Sequence, residues 1–374
     1  MDPRYYSSET VGVSGALLEL YRYRGETPRE GDHREIVLMC SGFGNNVSVY
    51  CLLGDDSMPA FLYQAGYDVY LFDLRGHGKS KFDDTVKESW DLSTYTFVDT
   101  LSIIQYILNQ TKSQQLHFIG HSMGGMIGLA LASCKTTSKL LKSVTALGSS
   151  IYLAHTIWKY LLYFTPLYPI AKVQGSIDLG WHAWLASNVV QYTSCLQIPS
   201  CGFDIIASSS NTNSGITHKM MNESFCKEGI GVIDEMKEGI SENGLRIKYR
   251  VSVTNTDVDD NYVYIDLFGE EMQENPLITT DHLIESTIGI YSPYLGLIYG
   301  YDDPQILEED VMKLVNKISS NRSTLTGNGQ RECFIRGFGS KYNDPPYSHY
   351  DLLIGNDAPA KVFPVLLDFL QSTV

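Results

Sequence analysis

Apolar runs of strand length recur through the first 150 positions, and segments of helical spacing separate them. Glu35–Cys40 is continuously apolar after its first residue, the pattern of a strand buried on both faces. Gly66–Phe72, the run that opens at Gln115, and Ser143–Gly148 have the same length and character. Leu17–Tyr23 is a weaker strand, because Glu19 and Arg22 interrupt its alternation. A helical segment is expected around Met58–Tyr63, and Phe97, Leu101, Ile104, Ile107 and Leu108 recur at helical spacing. Buried-type strands alternating with helices predict an α/β fold with a mostly parallel central sheet and helices on both faces.

That rhythm breaks at Ile151. Ile151–Ile170 is rich in aromatic and aliphatic residues, but His155, Lys159 and two prolines argue against a membrane-spanning helix. The run reads either as an interfacial lid that touches lipid or as a helix packing a cap onto the core. Pro199–Thr217 is expected as a loop and Asn222–Ile240 as helical. Arg246–Thr254 and Tyr262–Leu267 read as a hairpin across the polar turn Asn255–Asn261. Strand character returns at Tyr294–Gly300, followed by a helix at Glu308–Ile318, a last strand at Arg331–Ile335 and a last helix at Val362–Leu370. The expected organisation is one sheet domain, residues 1–150 plus 288–374, interrupted by an inserted cap or lid over 151–287.

Composition changes this picture only at its edges. A chain of 374 residues can bury a large core, and 43% hydrophobic with 19% charged residues is ordinary for a globular protein. The formal charge of −15 offers no basic field, which sets nucleic acid aside as a partner. Met1–Glu9 has no apolar core of a signal peptide, and seven cysteines without C-x-x-C pairs read as reduced thiols. A cytoplasmic protein is therefore expected. Asp257–Asn261 begins like a calcium loop, yet Tyr262 and Phe268 occupy the positions that need glycine and glutamate. No metal and no cofactor is expected.

The chemistry concentrates at Gly120-His121-Ser122-Met123-Gly124, set between the apolar run from Gln115 and the helical run Met126–Ala132. A G-x-S-x-G between strand and helix is the nucleophile elbow: a strained turn holds the serine at the start of a helix. Side chains at the two glycine positions would collide with the adjoining strand and helix. A serine hydroxyl needs a histidine to take its proton and an acid to orient that histidine. In enzymes that use this elbow the order is serine, acid, histidine, and only His349 lies late enough. The acid should follow a strand, and Gly300-Tyr301-Asp302-Asp303-Pro304 offers two candidates. Asp303 is preferred because it leaves room for a turn before the carboxylate; Asp302 is the alternative. Asp351, two residues past the histidine, is expected to support its loop. Two backbone amides must converge on the oxyanion. Met123 should supply one and Phe43, in Ser41–Asn46, the other, with Gly42 and Gly44 allowing close approach.

Four blocks carry a resemblance to the α/β-hydrolase superfamily: Ser41–Gly44, Asp73–Ser80, Gly120–Gly125, and the Gly300–Pro304 turn with His349. Ser41 departs from the usual histidine of the first block but leaves its amide donors in place. Asp73–Ser80 is a structural hallmark and is assigned no catalysis. Tyr347–Pro359 is similar to the acid-lipase branch, in which a histidine, an aspartate two residues on and a later Asp-Ala-Pro recur. The resemblance implies a lipase-like serine esterase of lipid metabolism, with the triad Ser122, Asp303 and His349 and a lipophilic small-molecule or lipid ester as substrate. Transient membrane or lipid-surface contact through the cap is the expectation if the aromatic run Ile151–Ile170 serves as a lid. Acyl transfer, thioester hydrolysis, or ligand binding on a hydrolase scaffold would use the same residues.

Overall fold

The computed structural model describes residues 5–24, 34–82, 90–164, 167–195, 206–240, 244–250, 262–266, 293–325, 333–342 and 344–373. Its strands are β1 (Tyr6–Val13), β2 (Ala16–Tyr23), β3 (Ile36–Cys40), β4 (Asp68–Phe72), β5 (Lys81–Phe82), β6 (Leu116–His121), β7 (Leu141–Leu147), β8 (Ser176–Asp178), β9 (Lys227–Gly229), β10 (Arg246–Arg250), β11 (Tyr262–Asp266), β12 (Tyr294–Gly300) and β13 (Phe334–Phe338). Nine of them form one sheet in the order β1-β2-β4-β3-β6-β7-β12-β13, with β5 beside β2. From β4 to β13 every pairing is parallel; β1, β2 and β5 are antiparallel.

The continuous apolar runs became the sheet's centre because both faces are covered there. Every residue of β3, β4 and β6 is buried. Alternation along β3 sends Leu38 and Cys40 into one core cluster and Val37 and Met39 into the other. Fully burying each such side chain stabilises the fold by about 1.5–3 kcal/mol, so the pattern fixes which strands lie inside. The expected helices are present at Met58–Gln64, Glu308–Leu325 and Ala358–Gln371. The helix expected before the elbow begins as a π turn over Thr94–Thr100 and continues as an α-helix, Leu101–Thr111.

One strand was not expected, and two expectations needed revision. β1 has no apolar signal because it is a half-exposed outer strand, held to β2 through a two-residue turn with Gly15 at φ 71. Asn222–Ile240 is not one helix: a helix Ser214–Glu223 ends there, β9 follows, and a second helix spans Ile230–Glu238. Tertiary hydrogen bonds override the helical spacing, since Asn46 N donates to Ser224 O and Cys226 N donates to Gly44 O. The start of Ser214–Glu223 also takes the end of the expected Pro199–Thr217 loop, with Asn213 capping the new helix.

Between β7 and β12 no described strand joins the large sheet. Helices Ile157–Phe164, Leu167–Gln174 and Leu179–Cys195 lie there with the two-stranded pairs β8-β9 and β10-β11. The β10-β11 pair is the expected hairpin, with Arg250 opposite Tyr262; its turn, which includes Asp257–Asn261, lies outside the described residues. β7 and β12 are nonetheless direct neighbours, with Leu147 opposite Ile298. The carboxyl ends of β3, β6, β7 and β12 therefore open side by side on one edge of the sheet, where open parallel sheets bind ligands.

Candidate active site

Ser122 follows β6 directly and is one of two described non-glycine residues with positive φ, at φ 54 and ψ −123. Such strain costs about 1–3 kcal/mol and persists only where its surroundings impose it. A Cβ on Gly120 would lie 2.1 Å from the Gly124 carbonyl oxygen, and one on Gly124 would lie 2.3 Å from that of Cys40. The turn is thus wedged between helix and β3. The helix Met123–Ser133 starts on Ser122 and is buried along its whole length, so its amino end points at the serine.

The loop after β3 presses on the same point. A Cβ on Gly42 would sit 2.8 Å from Ser122 Cβ and 3.4 Å from Ser122 Oγ. Among the described residues, neither the Phe43 nor the Met123 amide donates to a loop carbonyl or a side chain. Met123 directly follows the serine, and Phe43 directly follows Gly42, which packs against it. The Phe43 ring meets Trp158 edge-on, with centroids 5.3 Å apart.

After β12 the two candidate acids face different partners. Asp303 Oδ2 lies 2.7 Å from His349 Nδ1, and its Oδ1 accepts the amides of Gln305 (2.8 Å) and Ile306 (3.3 Å). Asp302 instead accepts the Ser340 amide, the Ser340 hydroxyl and the Tyr347 amide, at 3.0, 2.6 and 3.0 Å. Asp303 and His349 are both about 1% exposed. Asp351 accepts the amides of Ser208 (2.9 Å) and Ser348 (2.7 Å) and the Thr212 hydroxyl, so it braces the loop that carries the histidine. Burial pushes its carboxyl up to about 6.

His121 links the serine to that loop. Its Nε2–H donates to the His349 carbonyl at 3.0 Å, and the two rings lie 4.6 Å apart. Burial, then the nearness of His349, holds His121 far below the usual histidine range, so the ring is neutral. Neutrality and the carbonyl acceptor assign the proton to Nε2. Tyr350, next to His349, donates to Asn45 Oδ1 in the loop after β3. Serine, donor loop and histidine loop are in this way cross-tied.

The Asp73–Ser80 block is structural in geometry as well as in pattern. Asp73 accepts the amides of Val47 (3.0 Å) and Lys79 (3.1 Å) and the Tyr21 hydroxyl (3.0 Å). Arg75 Nε lies 3.0 Å from Asp99 Oδ2, a buried pair that ties the block to the π turn. His77 is raised above its usual range: burial pulls it down, but the Glu228 charge and hydrogen bond outweigh that.

Sequence reasoning missed Glu228, Tyr95, Asn45 and His121 as parts of this arrangement. His121 stood inside the motif and could have been asked for its partner. Glu228 had no signal, since Lys227–Gly229 lay in a stretch read as helical. Among the described residues no three His, Cys, Asp or Glu side chains gather as metal ligands. Five described cysteines are free thiols.

A family model for the alpha/beta hydrolase fold matches residues 35–187. Lipase member N of Mus musculus is 29% identical over 159 residues, which cover 39% of this chain and 40% of that protein. Sterol esterase 2 of Saccharomyces cerevisiae is 26% identical over 180 residues, or 45% of this chain and 33% of the relative. The chain thus spans less than half the length of these relatives. Among solved structures, a soluble variant of monoglyceride lipase from Saccharomyces cerevisiae superposes with a TM-score of 0.60 at 15% identity, covering 99% of this chain and 95% of that one. The monoacylglycerol lipase of Paleococcus ferrophilus gives 0.54 at 15% identity, covering 95% and 99%. At such identities the structural likeness speaks for the fold alone.

Proposed function

We propose that this chain, a member of the α/β-hydrolase superfamily with lipase-like resemblance, is a serine hydrolase that cleaves carboxylic esters of lipophilic acyl groups. The observation that carries the reading is the buried 2.7 Å contact between His349 Nδ1 and Asp303 Oδ2, on the same sheet edge as a positive-φ Ser122. With Nδ1–H held by Asp303, His349 Nε2 is the free base. Ser122 Oγ attacks the ester carbonyl carbon and passes its proton to Nε2. The carbonyl π electrons move to oxygen, where the Phe43 and Met123 amides receive the charge. Collapse expels the alcohol, protonated by His349, and leaves an acyl-Ser122 ester. Water, deprotonated by His349, adds to that ester; the acid departs and Ser122 regains its proton.

Residues 151–287 form the cap in this proposal, inserted between two parts of the core, 1–150 and 288–374. Its described helices expose Tyr160, Tyr163, Ile170, Val173, Trp181 and Trp184, side chains suited to an acyl chain or a lipid surface. The lipase and esterase relatives support the same substrate class. No described helix is long and apolar enough to cross a membrane, and the protein is proposed to act from the cytoplasm on lipid it meets transiently. The test is labelling by a fluorophosphonate probe combined with hydrolysis of p-nitrophenyl esters of increasing chain length. Wild type should label and prefer longer acyl groups, and Ser122→Ala should abolish both activities. Preference for the shortest esters would remove the lipophilic substrate class; absence of labelling would remove the serine mechanism.

A further inference from the structure

A carboxylate from the segment between β7 and β12 reaches into the donor loop. Glu228, in β9, is fully buried, and its Oε2 accepts the Gly44 amide at 2.9 Å. The same oxygen lies 3.3 Å from His77 Nε2. Oε1 accepts the Tyr95 hydroxyl at 2.8 Å and the Gly229 amide at 3.1 Å. Both oxygens are engaged, as a buried charge requires. The partners are fixed in turn: Trp90 Nε1 donates to the Tyr95 oxygen at 2.8 Å, and His77 Nδ1 lies 3.0 Å from the Asn45 carbonyl. His77 therefore faces an acceptor with each nitrogen, the arrangement of an imidazolium.

We propose, on the reading of Ser122 and the Phe43 and Met123 amides given above, that Glu228 is a positioning residue that holds the oxyanion-donor loop in its donating conformation. Gly44 N–H belongs to the peptide that follows Phe43. Anchoring it fixes that peptide plane and opposes the rotation that would turn the Phe43 amide away from the Ser122 side. Gly44 itself has φ 58, and with no side chain to pack it is held through its backbone bonds. Because the anchor lies outside the sheet, donor geometry depends on β9 being seated. Glu235 provides the contrast. It comes from the next helix, is also buried, and accepts the amides of Leu92 (2.6 Å) and Ser93 (3.2 Å), ahead of the π turn rather than in the loop after β3.

The experiment compares Glu228→Ala, Glu228→Gln, Tyr95→Phe and Glu235→Gln in the full chain. The readouts are kcat, KM, melting temperature and inhibition by a trifluoromethyl ketone, whose adduct places an oxyanion in the hole. Removing an oxyanion donor outright costs about 100- to 1000-fold in kcat, so misplacing one in Glu228→Ala should cost roughly 30- to 100-fold with KM within about threefold. Ketone affinity should fall by the same factor. Glu228→Gln can turn its oxygen to Gly44 and its amide to the Tyr95 oxygen, leaving only the adjacent Gly229 amide opposed, and should lose less than about tenfold. Tyr95→Phe, which loosens the carboxylate and leaves the loop intact, should lose about three- to tenfold, and decides the matter if the alanine variant does not fold. Glu235→Gln should lower the melting temperature with kcat within about threefold of wild type. Losses of kcat and ketone affinity that are no larger for the Glu228 and Tyr95 variants than for Glu235→Gln overturn the proposal. An inactive, unlabelled wild type would instead sink the serine-hydrolase reading itself, before any variant is compared.

Discussion

Asp303→Asn is the sharpest perturbation of the site, because the structure dictates how the new amide must sit. Oδ1 of Asp303 accepts two backbone amides, from Gln305 and Ile306. Asparagine must keep its oxygen on that side, since its NH2 would oppose two donors there. The NH2 then falls at the Oδ2 position, 2.7 Å from His349 Nδ1. Nδ1 must become an acceptor, which moves the ring proton to Nε2, and Nε2 can no longer take the serine proton. In serine proteases a wrong tautomer of this kind lowers kcat about 10⁴-fold, so roughly 10³- to 10⁴-fold, or about 4–5.5 kcal/mol of transition-state stabilisation, is expected here. Asp302→Asn is the matched control. It disturbs bonds to Ser340 and Tyr347, at the base of the histidine loop, and should cost less than about tenfold. The assay is kcat/KM on a p-nitrophenyl ester, with melting temperature measured alongside. A folded Asp303→Asn that keeps more than about a tenth of wild-type activity refutes the assignment, as does a larger loss in Asp302→Asn.

Gly42→Ala should lower kcat by about 10- to 100-fold, because its methyl would start 2.8 Å from Ser122 Cβ and push the donor loop outward; steady-state kinetics showing kcat unchanged would mean that this loop does not serve the serine. His117 bears on stability rather than on activity. It is buried between Ser143 and a Glu35 whose carboxylate is 42% exposed, and burial outweighs the screened charge and pulls its pKa down to about 4 from 6.5. The folded state keeps His117 neutral while the unfolded chain protonates. Its stabilising contribution is therefore complete above pH 6.5 and is lost as the pH falls toward about 4, by up to ~3 kcal/mol. Denaturant melts from pH 4 to 7 should be less pH-dependent for His117→Asn than for wild type; equal slopes would contradict the burial argument.

Several features could be read from the chain because their cause is local. A buried parallel strand must be largely apolar on both faces, so β3 announced itself as a continuous run and β4 and β6 as mostly apolar ones of strand length. The elbow is encoded within five residues, because its strain is local and small flanking residues are the only ones that fit. Chain order alone isolated His349. By contrast, Asp302 and Asp303 are the same residue type one position apart. Their roles separate only through what each side of the turn meets: Ser340 and Tyr347 for one, His349 for the other.

The remaining misses share that origin. β1 is polar because one of its sides faces solvent, and only its pairing with β2 makes it a strand. β9 lies in a stretch of helical spacing, and its extended form is imposed by antiparallel pairing with β8, with Ile177 opposite Glu228, just after Ser224 and Cys226 bond to residues 46 and 44. Glu228 carried no signal in the sequence, and only the fold surrounds it with Gly44, His77 and Tyr95. The sequence by itself determined the sheet's inner strands, the strained serine and the order of its partners, because backbone sterics and hydrophobic burial act over a few residues. Only the tertiary structure decided which carboxylate meets the histidine and which one anchors the donor loop. Hydrogen bonds to a buried charge are made by distance in space, and no local pattern records them.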